Sequence, residues 1–161
     1  MTETLTEATQ TEPEPWLQNV VVTREFDATP EQIWAAWTTP ELITQWWGPS
    51  GFRTPLEEIT FEPFVGGQFK LTMYSPDNDA VPQDARVLLW EPNQRFMYTE
   101  PVPCWPVIKF VVGKMALSEK DGKTELTLDV TSIAGVDMVE MSQGTWHEMF
   151  DKLADLLATS R

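Results

Sequence analysis

Cysteine, histidine and positive charge are all scarce in this chain. Cys104 is the only cysteine, so no disulfide can form within the chain, which fits a reducing, cytoplasmic setting. His147 is the only histidine, and one Cys with one His does not make a zinc site of the usual kind. No metal and no cofactor are therefore expected. Cys104 lies in "PVPCWP" without a basic neighbour to stabilise a thiolate, and His147 points away from the apolar side of its segment, so neither is expected to be catalytic. Eleven Lys and Arg stand against 25 Asp and Glu, giving a net charge of −14. Such a balance disfavours nucleic-acid backbones and anionic lipid surfaces. There is no run of eighteen apolar residues, so no membrane span is expected. The first residues lack a basic stretch followed by an apolar one, so no signal peptide is expected. Gly-rich phosphate loops and serine nucleophile elbows are missing as well; "VGGQF" reads as a turn.

Aromatic residues, by contrast, are plentiful: eight Trp and eight Phe in 161 residues, with a hydrophobic content of 42%. Each ring buries roughly 150–250 Å² when packed. This suffices for one domain with a substantial core, expected over residues 16–161. Residues 1–15, "MTETLTEATQTEPEP", hold four Glu and no basic residue and have little to bury, so a disordered acidic tail is expected there.

Residues Gln18 to Phe26 alternate as a strand, with Val20, Val22, Arg24 and Phe26 on one face. Thr29, Pro30 and Gln32 then spell a helix N-terminus: an N-cap, a proline at the first position and a capping-box partner. A second short helix opens at Thr39-Pro40 and stops at Gly48-Pro49. "RTPLEEITFE" reads as an edge strand because Pro55 cannot donate to a ladder. "QFKLTMY" is a strand, "SPDNDAVPQD" a loop, and "ARVLLWE" and "RFMYTE" are strands. "VIKFVVGKMALSE" and "TELTLDVT" flank "KDGK", whose Asp121-Gly122 signals a hairpin. From Val136 to Ala158 the chain reads as one long amphipathic helix carrying Val139, Trp146, Phe150, Leu153 and Leu157 on one side. This order predicts an α+β fold. A curved antiparallel sheet needs cover for its concave face, and the last helix is the only element long enough to supply it.

Within that order, "TPEQIWAAWTTPELITQWWGPSGF", "FVGGQF", "LLWEPNQRFMYTE" and "TWHEMFDKLADLL" resemble the signature segments of heat-shock-protein-90 ATPase activator-like domains, members of the helix-grip (START-like, SRPBCC) superfamily. The resemblance covers roughly residues 18–158. It implies about seven antiparallel strands around a long C-terminal helix, two short helices after the first strand, and a cavity between sheet and helix. Superfamily members include lipid carriers, hormone receptors and cofactor-free cyclases, so the fold alone does not choose among them. The chain departs from the family pattern at Thr145, where many members have Gly, at Glu62 and Phe64, and at Glu100, where an apolar residue is common.

Two sets of residues stand out. Trp47, Phe52, Phe69, Met73, Tyr98, Met138 and Met141 are candidates to line an apolar ligand cavity, flexible thioethers being suited to an adaptable wall. The competing reading of each is plain core packing. Trp46 and Trp47 are adjacent, and adjacent helix residues point about 100° apart. Trp46 is therefore expected in the core, with Trp47 at the cavity mouth or in solvent. Arg24, Tyr98 and Glu100 form the second set. Facing inward together, they would place a guanidinium, a phenol and a raised-pKa carboxyl around a bound carbonyl compound, which is equipment for proton transfer. The alternative is a structural Arg–Glu pair.

Three functions follow as expectations: an apolar small-molecule binding domain, a cofactor-free cyclase, hydratase or isomerase, and a chaperone cofactor. The last is weakened because the resemblance covers one domain only. A monomer or a homodimer fits all three.

Overall fold

The computed structural model describes residues 14–100 and 108–159. The expected acidic tail lies almost wholly outside the described residues, as does the segment holding Cys104. Seven strands form one antiparallel sheet: β1 (Trp16–Phe26), β2 (Thr60–Phe61), β3 (Gln68–Tyr74), β4 (Ala80–Glu91), β5 (Arg95–Glu100), β6 (Ile108–Lys120) and β7 (Lys123–Ala134). Their order in space is β1-β7-β6-β5-β4-β3-β2. Two short helices, α1 (Pro30–Thr38) and α2 (Pro40–Trp46), follow β1, and the long α3 (Val139–Thr159) closes the chain.

Local chemistry accounts for most boundaries. The Thr29 hydroxyl accepts the N–H of Gln32 at 3.2 Å, and the Gln32 side chain accepts the N–H of Thr29 at 2.9 Å. Two helix-start donors are thereby satisfied reciprocally. At the β6–β7 hairpin, Asp121 and Gly122 both take positive φ, 55° and 79°, as a two-residue turn of matching twist requires.

Two stretches differ from their sequence patterns. "RTPLEEITFE" is not a continuous strand: Arg53 makes one isolated bridge to Tyr74, Leu56–Glu58 form a short 3-10 turn, and only Thr60–Phe61 pair with β3. "SPDNDAVPQD" is half strand rather than all loop. The chain reverses over Ser75–Asp79, with Asn78 at φ 67°, and β4 pairs with β3 from Ala80 onward, through Pro82.

The helix α3 starts at Val139 rather than Val136. Asp137 accepts the Val139 N–H at 3.0 Å, and the Gln18 side chain occupies the backbone groups just before it. Inward residues of the sheet (Val20, Val22, Phe26, Phe69, Leu71, Phe96, Leu126 and Leu128) are buried beneath Phe150, Leu153 and Leu157 of α3. At the centre Trp37 is fully buried and meets the rings of Trp46, Trp47, Phe96 and Phe150, and it stacks on Trp146 at 11° and 6.0 Å. Such pairings add about 0.5–1.5 kcal/mol each beyond area burial.

Candidate functional site

Aromatic packing fills one part of the space between sheet and helix but not the end near β3, β4 and the start of α3. There a pocket of about 230 Å³ opens to solvent. One wall is the turn after α2, with Trp47, Pro49 and Phe52. The sheet contributes Met73, Gln83 and Ile108, and α3 contributes Met138, Met141, Ser142, Thr145, Trp146 and Met149.

The turn after α2 is held firmly. Trp47 donates its N–H to Ile43 at 3.0 Å, closing the helix, and its carbonyl accepts the Thr54 hydroxyl at 2.8 Å. Gly48 at φ 106° reverses the chain, and its carbonyl accepts Lys152 Nζ at 2.9 Å. Glu148 accepts the Ser50 N–H at 2.9 Å. Two α3 side chains therefore clasp the turn that carries Trp47 and Phe52. Burial lowers the Lys152 pKa, with Glu148 opposing the shift.

Trp47 does line the pocket, but the expectation that Trp46 alone enters the core needs correction. Both are buried, Trp46 at 0% and Trp47 at 3% exposure. Trp47 is the helix cap, with extended backbone at φ −69° and ψ 131°, so the 100° helical separation does not apply to it. Its ring contacts Trp37, Phe69 and Trp146 on one side and lines the pocket on the other.

Of the residues singled out as cavity lining, Trp47, Phe52, Met73, Met138 and Met141 border this pocket. Met141 is at the rim, 57% exposed. Phe69 and Tyr98 do not border it. Phe69 is buried behind Trp47, at 5.3 Å between centroids, and Tyr98 is buried behind Phe69, at 5.9 Å. Tyr98 lies flat across β6: it pairs with Gly113, where any Cβ would come within 2.4 Å of its ring. These two rings pack in series behind Trp47.

The proposed trio of Arg24, Tyr98 and Glu100 is not assembled. Arg24 bonds Asp151 of α3 at 2.6 Å instead. Register explains why. Glu100, Val111, Ser132 and Gln18 share one row across the sheet, whereas Arg24 shares a row with Leu126 and Leu117. Six residues along a strand, roughly 20 Å, separate the two rows. Correct facing therefore does not bring the groups together. Tyr98 and Glu100 do neighbour each other on β5. Burial, assisted by the Asp84 charge, raises the Glu100 pKa to about 7, and burial raises the Tyr98 phenol still further above its ordinary value.

Gln83, Trp146 and Met149 were not singled out from the sequence. Gln83 is 8% exposed, and its Nε2 has no hydrogen-bond partner among the described residues. Trp146 was legible as part of the apolar side of α3, but periodicity does not separate cavity wall from core. Among the described residues no cluster of His, Cys, Asp and Glu could hold a metal ion, and no helix is long and apolar enough to cross a membrane.

The fold is shared widely. The CV1439 protein of Chromobacterium violaceum superposes with a TM-score of 0.79 at 20% identity, covering 86% of this chain and 96% of that one. A Rhodobacter sphaeroides protein gives 0.72 at 26% identity, covering 88% and 93%. The AHSA1 protein of Silicibacter pomeroyi gives 0.72 at 20% identity, covering 89% and 100%. No protein of curated function matches the sequence. The seven-stranded grip, its closing helix and a family-model match over residues 27–158 agree, and the chain belongs to the Activator of Hsp90 ATPase homolog 1-like protein family.

Proposed function

We propose that this protein binds a small apolar or aromatic molecule in the pocket between the β3–β4 end of the sheet and the first half of α3. The observation that carries this reading is the composition of the pocket wall. Trp47, Trp146, Phe52 and Ile108, with Met73, Met138, Met141 and Met149, surround an open volume of about 230 Å³. Two indoles offer flat faces, and the thioethers adapt to shape. Apolar walls with a few polar groups are the usual make-up of small-molecule sites. Two neighbouring features support a stable site: the clasp of Lys152 and Glu148 on the turn after α2, and the packed rings behind Trp47.

Native mass spectrometry of freshly purified protein, followed by a thermal-shift screen of apolar compounds, tests the proposal. Co-purification of a small molecule, or a rise in Tm with an apolar compound that is lost in Met149→Trp, is the expected result. No bound mass and no stabilisation by any apolar compound would defeat it.

A second reading, a cofactor-free enzyme, draws support from one feature: the Glu100 carboxyl titrates near pH 7 beside the Tyr98 phenol. Arg24 has no part in this reading because it is bound to Asp151. Turnover of a bound carbonyl compound that disappears in Glu100→Gln, while binding persists, would establish it. Equal turnover in both would dismiss it.

A further inference from the structure

One polar group in the pocket wall is unexplained by packing. Gln83 is on β4, paired with Leu71 of β3, and its side chain reaches the pocket among Met73, Ile108 and Met138. It is 8% exposed, and its Nε2 lacks a partner among the described residues. A buried amide donor left unmade costs about as much as a lost hydrogen bond, and because Nε2 is itself closed off from solvent, meeting an acceptor in the pocket requires the amide to turn about its last side-chain bond. Leu or Met would fill the same space without that cost. Among the described residues that line the pocket, none is Lys, Arg or His. A carboxylate or phosphate would therefore lose its hydration with no cation to meet it, in a chain of net charge −14. A neutral oxygen has no such penalty.

Resting on the pocket reading above, we propose that the ligand is an uncharged, largely apolar molecule bearing a carbonyl-type oxygen, and that Gln83 Nε2 donates to that oxygen. The ring system packs against the pocket-facing surfaces of Trp47 and Trp146, whose own edge-to-face contact at 5.7 Å stays intact. A cavity of about 150 Å³ accommodates benzene, so roughly ten non-hydrogen atoms fit within 230 Å³, with any remainder standing in the mouth past Met141. Gln83 thus selects ketones, esters, lactones or amides over hydrocarbons of the same shape, and the uncharged wall excludes acids in their ionised form.

The test uses three probes of similar shape, α-tetralone, tetralin and α-naphthoate, titrated at pH 8 against the full chain with Trp fluorescence and calorimetry as readouts. The expected order is tetralone about tenfold tighter than tetralin, one good hydrogen bond being worth about that factor, with naphthoate weakest. In Gln83→Leu, tetralone should fall to the tetralin level while tetralin binds as well as before or better. Gln83→Met supplies the same comparison if the leucine variant folds poorly. Equal binding of tetralone and tetralin to the unaltered protein overturns the donor role but leaves the pocket reading standing. Tightest binding of naphthoate overturns the charge selection. Failure of all three probes, tetralin included, defeats the pocket reading and this inference with it.

Discussion

The side-chain oxygen of Gln18, on the edge strand, accepts the backbone N–H of Met138 at 2.8 Å across 120 residues of sequence. The same side chain donates to the Val136 carbonyl at 2.7 Å and is itself buried. One amide thereby satisfies both backbone groups at the approach to α3 and places Met138 in the pocket wall. Gln18→Leu keeps the apolar bulk but strands a buried N–H and a carbonyl. It should cost roughly 1–3 kcal/mol in denaturant unfolding and raise hydrogen exchange at residues 136–142. Unchanged exchange there would show that α3 holds its start without this latch.

Gly113 is under a different constraint. A Cβ at this position would sit 2.4 Å from the Tyr98 ring. The obstacle is a buried ring with Phe69 and Phe96 at its other sides, so it has little room to yield. Gly113→Ala should destabilise the protein by about 1–3 kcal/mol, the usual range for overpacking. Adding Tyr98→Val should recover part of that loss, a non-additivity that a double-mutant cycle measures.

Stability should depend on pH through Glu100. Its folded pKa, about 7, lies above the ordinary 4.5 because burial and the Asp84 charge disfavour the ionised form. Below pH 4.5 both folded and unfolded chains carry the neutral acid, and nothing is lost. Between about 4.5 and 7 the unfolded chain ionises first, so folding stability falls as pH rises, and above 7 the loss is constant. Glu100→Gln removes this penalty. Its advantage should be near zero at pH 4 and reach roughly 1–3 kcal/mol at pH 8. A flat difference between unfolding curves at the two pH values would contradict the assignment.

Much of this was legible in the chain. Thr29, Pro30 and Gln32 fixed a helix start because capping is local chemistry, and Asp121-Gly122 fixed a hairpin because few residues accept two positive φ angles. The family segments carried the sheet and its closing helix. The site was only partly legible. Arg24 was assigned to the right face, yet its distance from Glu100 depends on register, which a strand pattern does not encode. Trp47 escaped the helical-angle argument because it caps the helix rather than continuing it. Gln83 stayed hidden because Pro82 and the turn residues before it made its segment read as a loop.

Gly144 offers a simple check on α3. It is exposed on the helix, and a Cβ there would meet nothing within 4 Å. Gly144→Ala should therefore stabilise the protein by about 0.5–1 kcal/mol through lower backbone freedom of the unfolded chain. The measurement is a shift in denaturation midpoint at constant slope. A loss of stability would mean that the helix needs its glycine for a reason beyond local space.

The rings of Phe69 and Tyr98 also limit what could be carried. With these rings packed behind Trp47, the described pocket of about 230 Å³ has room for only a short apolar group. A long acyl chain would leave most of its methylenes in water, forfeiting about 0.8 kcal/mol for each one not covered. Under the proposed function, a volume of that size favours compact ring compounds over long-chain lipids.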